Sequence, residues 1–224
     1  FDFMKEMRWR TSQEKEDFWL MGEVIHGDYA RWANDDVLHS VTNYELHKGL
    51  YSGHNDHNYF EIAHTIRREF DENGGIYKGR TLYSFADNHD VDRLASKLNN
   101  KATCSRSTHF FTRCRVFHPF IMVPSGALRE EKEGGNDDPL RPALNLAEME
   151  EKYKDCQLTE HIRMLGRLKK RASPALRRKI QRITSDQPAV RFARIQDDKA
   201  VIVAVNNDEN PAHVSIPVRQ EEMR

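Results

Sequence analysis

An apolar run that ends in a polar Asn-His-Asp triplet is the feature that most constrains this chain. Residues 81–85 read as a buried strand, and the triplet that follows them ends in Asp90. A second junction of the same kind lies upstream, where the apolar run 18–21 leads through a glycine into Glu23. Each of the two acids therefore stands where a strand of a sheet is expected to end.

The interval between Glu23 and Asp90 is close to two strand–helix units of roughly 30 residues each. One further strand is therefore expected between them, and residues 39–44 fit it. Residues 58–70 read as the next helix, with apolar side chains at helical spacing: Phe60, Ala63, Ile66 and Phe70. This order of elements, with crossovers of this length, predicts a parallel sheet.

Two carboxylates at the carboxyl ends of neighbouring parallel strands have a specific chemical use. In β/α barrels the active-site groups come from these ends of the strands. A pair of acids held there can protonate a glycosidic oxygen and stabilise the sugar cation that forms. A lone Glu after an apolar strand is more often a solvated loop residue, so the prediction depends on the pair.

The two junctions resemble a known family. Glu23 in the tripeptide GEV and the triplet 88–90 resemble two of the four short signatures of glycoside hydrolase family 13, the α-amylase family, where they end barrel strands five and seven. Residues 18–101 resemble bacterial maltodextrin-active members throughout. The resemblance implies the fold class α/β, with a partial (β/α)8 TIM barrel made of the later strands and a truncated C-terminal β-sandwich domain.

The resemblance also implies roles for individual residues. Glu23 matches the general acid/base, and Asp90 matches the third carboxylate, which favours the oxocarbenium-like transition state. Substrate binding is assigned to five residues around these acids: Asn88, His89, His26, Tyr29 and Trp32. For the two aromatic residues, capping a barrel edge is an alternative to stacking on a sugar ring. The implied activity is retaining hydrolysis of α-linked glucans such as starch and maltodextrin, with no cofactor and no metal.

The nucleophile of the family is missing from this sequence. It is an Asp on strand four in a G-x-R-x-D pattern, and no residue here matches that pattern. Residues 1–8 look like the helix that follows strand four, so we expect the nucleophile to precede Phe1 and this fragment to be inactive. Asp2 would lie on the helix and is a poor substitute. The alternative function is a non-catalytic remnant or carbohydrate-binding protein with the same fold.

Domain boundaries follow from the same resemblance. We expect residues 1–180 to form the C-terminal half of the barrel and residues 181–224 to begin the β-sandwich, with a hairpin turning at 196–199 and a strand at 214–218. Residues 103–131 should contain strand eight but lack its apolar pattern. If the codons of this segment are read in a shifted frame, the resulting sequence resembles the family again. Residues 180–192, read in a frame shifted the other way, also resemble the family. Our hypothesis for both segments is therefore sequencing error or gene decay.

Composition excludes other classes of protein. The chain has 35 basic and 35 acidic residues, which gives no electrostatic argument for nucleic acid or anionic membrane as a partner. No apolar run of about 18 residues occurs, the length that a membrane span needs. His54, His57 and His64 lack a tight zinc spacing, and solvated loop and helix faces explain them better. The few cysteines and the resemblance favour the cytoplasm; the oligomeric state is not predicted.

Overall fold

The computed structural model describes the chain in several ranges. Those that carry the fold are 1–71, 73–99, 134–152, 182–186, 189–196 and 199–208, with isolated positions between 154 and 168 and between 210 and 213. The predictions for residues 103–131 and 214–218 lie outside the described residues. Within these ranges no helix is long and apolar enough to cross a membrane.

The chain opens with helix α1, Asp2–Glu14, which confirms the helix predicted for its first residues. The helix has no fully buried residue, but Met4 and Met7 pack against a core cluster that includes Val41. Asp2 is the first residue of this helix.

A short parallel ladder follows. Strand β1, Met21–Gly22, pairs in parallel with strand β2, Ser40–Val41. Thr42 then forms a parallel bridge with Tyr83, whose N–H donates to the Val41 carbonyl at 2.7 Å. The pairings confirm the predicted parallel order. They are shorter than the predicted strands 39–44 and 81–85.

Two packed helices follow β2, whereas one was predicted. Helix α2 runs Tyr44–Asn55 and helix α3 runs Tyr59–Phe70. The prediction that residues 39–44 form a strand throughout is wrong at its end. Asn43 is where the ladder changes to helix: its N–H still donates to the Tyr83 carbonyl at 2.9 Å, while its Oδ1 accepts the Leu46 N–H at 3.0 Å and caps α2.

The predicted helix 58–70 is confirmed, and its predicted inward face is confirmed except at Phe60. Ala63 and Ile66 are buried as predicted, and Phe70 packs against the core. Phe60 is 52% exposed and stacks on His64, one turn further along, while its neighbour Tyr59 is buried. Periodicity therefore identified the helix but not which of two adjacent aromatic residues faces inward.

An antiparallel sheet ends the described chain. It consists of strands β3 (Arg182–Asp186), β4 (Ala189–Gln196) and β5 (Lys199–Asn206), in that order. Gln196 pairs with Lys199, so the predicted hairpin is present. Strand β3 was not predicted, because its residues fall in a segment that we took to be frame-shifted.

The sheet and the helices share a core. Val203 of β5 is buried in a cluster with residues of α2 and α3, among them Leu50 and Ile62. A second cluster lies against β1 and β2 and contains Tyr29, Val41 and Leu82. Two further short α-helices are described, α4 (Leu94–Lys97) and α5 (Leu146–Lys152), and two 3-10 helices, Tyr29–Arg31 and Asp138–Leu140.

Candidate active site

Glu23 is the first residue after β1, and a side-chain tie holds the backbone beyond it. The Thr42 hydroxyl accepts the Val24 N–H at 3.0 Å and donates to the Val24 carbonyl at 3.2 Å. The Glu23 side chain is exposed, and its Oε1 accepts a hydrogen bond of 2.7 Å from the Tyr44 hydroxyl. The strand end therefore presents a carboxylate that is fixed at one oxygen and accessible at the other.

The Asn-His-Asp triplet lies on the other side of Tyr44. Asn88 is 7% exposed and uses both ends of its amide. Its Nδ2 donates to the Tyr44 hydroxyl at 3.0 Å, and its Oδ1 accepts the Asp90 N–H at 2.9 Å. A chain of hydrogen bonds thus runs from the Asp90 backbone through Asn88 and Tyr44 to Glu23.

Tyr44 is subject to the charges of both acids. Its ring contacts Phe85 edge-on, with 4.8 Å between centroids, and Phe85 itself is 1% exposed. Burial, the bond to Glu23 and the negative charges of Glu23 and Asp90 together raise the pKa of the Tyr44 hydroxyl to about 12, against a lowering by the hydrogen bond from Asn88. The phenol is therefore protonated, and able to donate, at any pH near neutrality.

Asp90 and His89 are both bound by Arg141. The Arg141 guanidinium donates to Asp90 Oδ1, and its Nε donates to the His89 carbonyl at 3.2 Å. His89 Nε2 lies 3.5 Å from Asp90 Oδ2, and the imidazole is exposed. Asp90 therefore shares its two oxygens between a cationic and an imidazole neighbour at the protein surface.

A buried ion pair supports the segment that carries the triplet. Arg93 is 1% exposed, and its NH1 lies 3.6 Å from the Oδ1 of the fully buried Asp87. The same guanidinium donates to the Asn88 carbonyl at 2.9 Å and to the Leu140 carbonyl. Arg93 thus binds the triplet to the residue that precedes Arg141, which explains how two segments distant in sequence meet at Asp90.

The other predicted substrate-binding residues lie in different surroundings. His26 is exposed in the loop after Glu23. Trp32 is half-buried and stacks on Phe1, with 4.8 Å between ring centroids. Tyr29 is 1% exposed and stacks on Tyr77 at 5.4 Å, and burial raises the pKa of its hydroxyl to about 12. No face of the Tyr29 ring is open to a sugar.

Sequence reasoning did not identify Tyr44, Arg141 or Arg93 as part of this site. Tyr44 had a usable signal, since it is the last residue of the predicted middle strand, which lies between the strands that precede Glu23 and Asp90. Arg93 lies three residues beyond Asp90, but charge alone does not indicate burial. Arg141 had no local signal, because 51 residues of sequence separate it from Asp90, its partner.

The three histidines considered for metal binding, His54, His57 and His64, have different surroundings. His54 is 3% exposed and its Nδ1 lies 2.6 Å from the Leu50 carbonyl, so the expectation that it is solvated is wrong. His57 Nδ1 lies 2.6 Å from the Asn207 carbonyl, while His64 is exposed on α3. Across the described ranges, no group of three or more His, Cys, Asp or Glu side chains could hold a metal ion.

A cavity of about 420 Å³ lies at the opposite, amino ends of the strands. Its lining includes one acidic side chain, Asp35, and four basic ones: Arg8, His39, Lys78 and Arg80. Leu20 N–H and the Arg8 guanidinium both reach His39 Nδ1, and burial, together with the Arg8 charge, lowers the pKa of this histidine. None of the predicted site residues lines this cavity.

Comparison with known proteins finds similarity to enzymes that act on α-glucans. No family model matches it. It is 23% identical over 219 residues to the intracellular maltogenic amylase of Bacillus subtilis strain 168, a match that covers 96% of this chain and 36% of that protein. The chain therefore spans about a third of the length of this curated relative.

Solved structures of the same group have a similar fold. A cyclomaltodextrinase superposes with a TM-score of 0.77 at 20% identity, over 99% of this chain and 39% of that protein. The cyclic α-maltosyl-(1→6)-maltose hydrolase of Arthrobacter globiformis, in complex with cyclic α-maltosyl-(1→6)-maltose, gives a TM-score of 0.74 at 18% identity, over 92% of this chain and 45% of that one. This chain is therefore a partial α/β unit related to glycoside hydrolase family 13, the α-amylase family.

Proposed function

We propose that this chain carries the acid/base side of the active site of a retaining glycoside hydrolase that acts on α-linked glucans. The observation that carries the proposal is the hydrogen-bonded connection between two strand ends, in which Tyr44 and Asn88 link Glu23 to the backbone of Asp90. Unrelated loop acids have no reason to share such a connection. The parallel ladder supports the proposal, because the carboxyl ends of parallel strands lie at one edge of a sheet and β/α barrels carry their catalytic groups at that edge.

In the proposed mechanism Glu23 is the general acid in the first step and the general base in the second. It donates a proton to the glycosidic oxygen as the bond to the anomeric carbon breaks and that carbon bonds to the nucleophilic carboxylate of the complete active site. It later removes a proton from the water that displaces this carboxylate from the sugar. Asp90 accepts hydrogen bonds from sugar hydroxyls and its charge favours the oxocarbenium-like transition state. His89, beside it, is an exposed donor for the same sugar.

The substrate class is supported by the relatives. Arthrobacter globiformis hydrolase structures contain cyclic α-maltosyl-(1→6)-maltose or maltose, and the curated relative is named a maltogenic amylase. We infer that the partner of this chain is likewise an α-glucan oligosaccharide or polysaccharide, handled in the cytoplasm as the name of the curated relative suggests. His26 and Trp32 stay in the proposed substrate site, whereas Tyr29 is left out of it because of its burial.

We also infer how the chain divides into domains. Residues 1–180 are later strands and helices of a (β/α)8 barrel, and residues 181–224 begin a C-terminal β-sandwich. The parallel ladder of β1, β2 and Tyr83 supports the first part, and the antiparallel sheet β3–β5 supports the second.

A second candidate function is a non-catalytic, carbohydrate-binding protein with the same fold. Such a protein would keep the connection between Glu23 and Asp90 but would lack the nucleophile that retaining hydrolysis needs about 5 to 5.5 Å from the acid/base carboxyl. Binding of maltodextrin without any release of reducing sugar, even when the preceding barrel strands are supplied, would select this candidate.

The deciding experiment compares two forms of the protein. We expect the 224-residue chain alone not to hydrolyse maltodextrin, and a form with the preceding barrel strands and both reframed segments to do so. In the active form Glu23→Gln should lower turnover by roughly 100-fold to 10,000-fold, because the amide cannot donate the proton. Glu14→Gln, on the exposed end of α1, is the matched control. Glu23-dependent hydrolysis by the 224-residue chain would show that the nucleophile lies within it.

A further inference from the structure

We propose that Tyr44 is a positioning residue for Glu23, which holds one carboxyl oxygen as a hydrogen-bond acceptor so that the transferable proton resides on the other. This inference rests on the proposed function, in which Glu23 is the acid/base. It assigns a role to Tyr44, which begins α2 shortly after β2 and contacts both Glu23 and Asn88.

The direction of the hydrogen bonds is fixed by the chemistry of the three groups. Asn88 Oδ1 is occupied by the Asp90 N–H, so the amide presents its Nδ2 to Tyr44. That nitrogen can only donate, and a phenol has a single proton. Tyr44 must therefore accept from Asn88 and give its own proton to Glu23 Oε1, which lies 2.7 Å away.

This direction decides which oxygen of Glu23 takes part in catalysis. With Oε1 engaged as an acceptor, a neutral Glu23 carries its proton on Oε2. In the first step that proton passes to the leaving-group oxygen as the glycosidic bond breaks, and Glu23 becomes a carboxylate that the Tyr44 hydroxyl stabilises. In the second step Glu23 takes a proton from water, and Tyr44 keeps its own proton throughout.

Tyr44 is held in place by its surroundings. It is the first residue of α2, and Asn43, the preceding residue, caps that helix and is fully buried. Its ring lies edge-on to Phe85 and to His47, at 4.8 Å and 6.3 Å between centroids. A phenol supported in this way restricts the Glu23 carboxyl to one orientation, which is the purpose of a positioning residue.

The first test compares Tyr44→Phe with Tyr51→Phe in the form of the protein that hydrolyses maltodextrin. Tyr51 lies on the same helix, and its described contacts are made by its ring, with His47 and with the Lys97 ammonium group. Tyr44→Phe should lower kcat for maltodextrin about 10-fold with little change in KM, while Tyr51→Phe leaves both unchanged.

The leaving group separates positioning from a structural role. An aryl maltoside with an acidic phenol needs little protonation as it departs, so the loss caused by Tyr44→Phe should be much smaller with that substrate. An equal loss with both substrates overturns the inference. A normal kcat for Tyr44→Phe, in a protein that Glu23→Gln inactivates, also overturns the inference. If Glu23→Gln keeps full turnover, the proposed function itself is overturned.

The second test does not depend on activity. A 3-fluorotyrosine introduced at position 44 titrates at a lower pH than tyrosine, because the fluorine makes the phenol more acidic, and fluorine NMR follows this titration. Glu23→Gln should lower the pKa of this phenol because it removes a negative acceptor, while Glu14→Gln should leave it unchanged. A phenol that titrates identically with and without the Glu23 charge overturns the inference, whether or not the protein hydrolyses glucans.

Discussion

Asn43 donates a hydrogen bond of 2.7 Å to the Oε2 of Glu69, and both side chains are completely buried. Asn43 also caps α2, while Glu69 lies on the inward face of α3. The amide thus joins the two helices directly behind Tyr44. Burial raises the pKa of Glu69 from 4.5 to about 8, an effect that the nearby Glu45 strengthens and that Asn43 and Arg68 reduce.

Glu69→Gln should make the protein more stable at pH 8 than the wild type. Between pH 4.5 and about 8 the unfolded chain ionises at this position while the folded chain keeps its proton, so folding stability falls as pH rises. Glutamine keeps the shape and an acceptor for Asn43 and never ionises, and the gain should be on the order of 2 kcal/mol. Urea unfolding of both proteins at pH 5 and pH 8 measures it. An equal loss of stability in both proteins over that interval would contradict the prediction.

Gly53→Ala should destabilise the contact between α2 and α3. An added Cβ would lie 2.9 Å from Ile62 Cγ1 and 3.0 Å from the Asn58 carbonyl, and the backbone atom cannot move aside cheaply. We expect a loss of about 1 to 3 kcal/mol in the free energy of unfolding. Gly49→Ala on the same helix meets Thr65 Oγ1 at 3.4 Å, an ordinary contact, and should gain about 0.5 to 1 kcal/mol from helix propensity. Thermal unfolding of both variants measures the difference; equal shifts would show that α2 is not packed in this way.

Arg93→Met should be strongly destabilising. The substitution leaves the fully buried Asp87 carboxylate without its cation and removes donors from two carbonyls, Asn88 and Leu140. Breaking such a buried pair costs about 3 to 5 kcal/mol. Arg10→Met is the matched control, because that guanidinium pairs with Glu6 on the exposed surface of α1, where such pairs contribute under about 1 kcal/mol. Similar denaturation midpoints for the two variants would contradict the buried pair.

Asn207→Ala should loosen the C-terminal sheet from the helices. Asn207 is 2% exposed, its Nδ2 donates to the His54 carbonyl at 2.8 Å, and its own carbonyl lies 2.6 Å from His57 Nδ1. Loss of the buried amide should cost about 1 to 3 kcal/mol and increase hydrogen exchange in β5. Asn210→Ala, at an exposed position just beyond β5, should be close to neutral. Unchanged exchange in β5 would mean that the sheet is held by other contacts.

The positions of Glu23 and Asp90 could be predicted because strand ends have a local signature. An apolar run followed by a polar residue survives in the sequence even where, as in β1 and β2, the paired strand is only two residues long. The parallel order followed from the length of the crossovers. The hairpin of β4 and β5 could be predicted because its alternation is contained within a single segment, whereas helix α1 was predicted from the resemblance to the family.

The contacts that join the site could not be predicted in this way. Tyr44 meets Asn88 across 44 residues of sequence, and Arg93 meets Leu140 across 47. Helix α2 was missed because Tyr44 read as the end of a strand and two glycines, at positions 49 and 53, weaken its helical pattern. The burial of Tyr29 depends on Tyr77, whose place in the fold no local pattern reveals.

The double hydrogen bond between Thr42 and Val24 separates the chemistry of Glu23 from the loop that follows it. Because the Thr42 side chain satisfies both backbone groups of Val24, the acid is fixed before the chain turns away at Gly27, where φ is 95°. A loop that begins beyond such a tie can be lengthened, shortened or rebuilt without moving the carboxylate. Under the proposed function, residues 25–28 are therefore the segment in which a lineage can change the size of the substrate while the Glu23 carboxyl stays where it is.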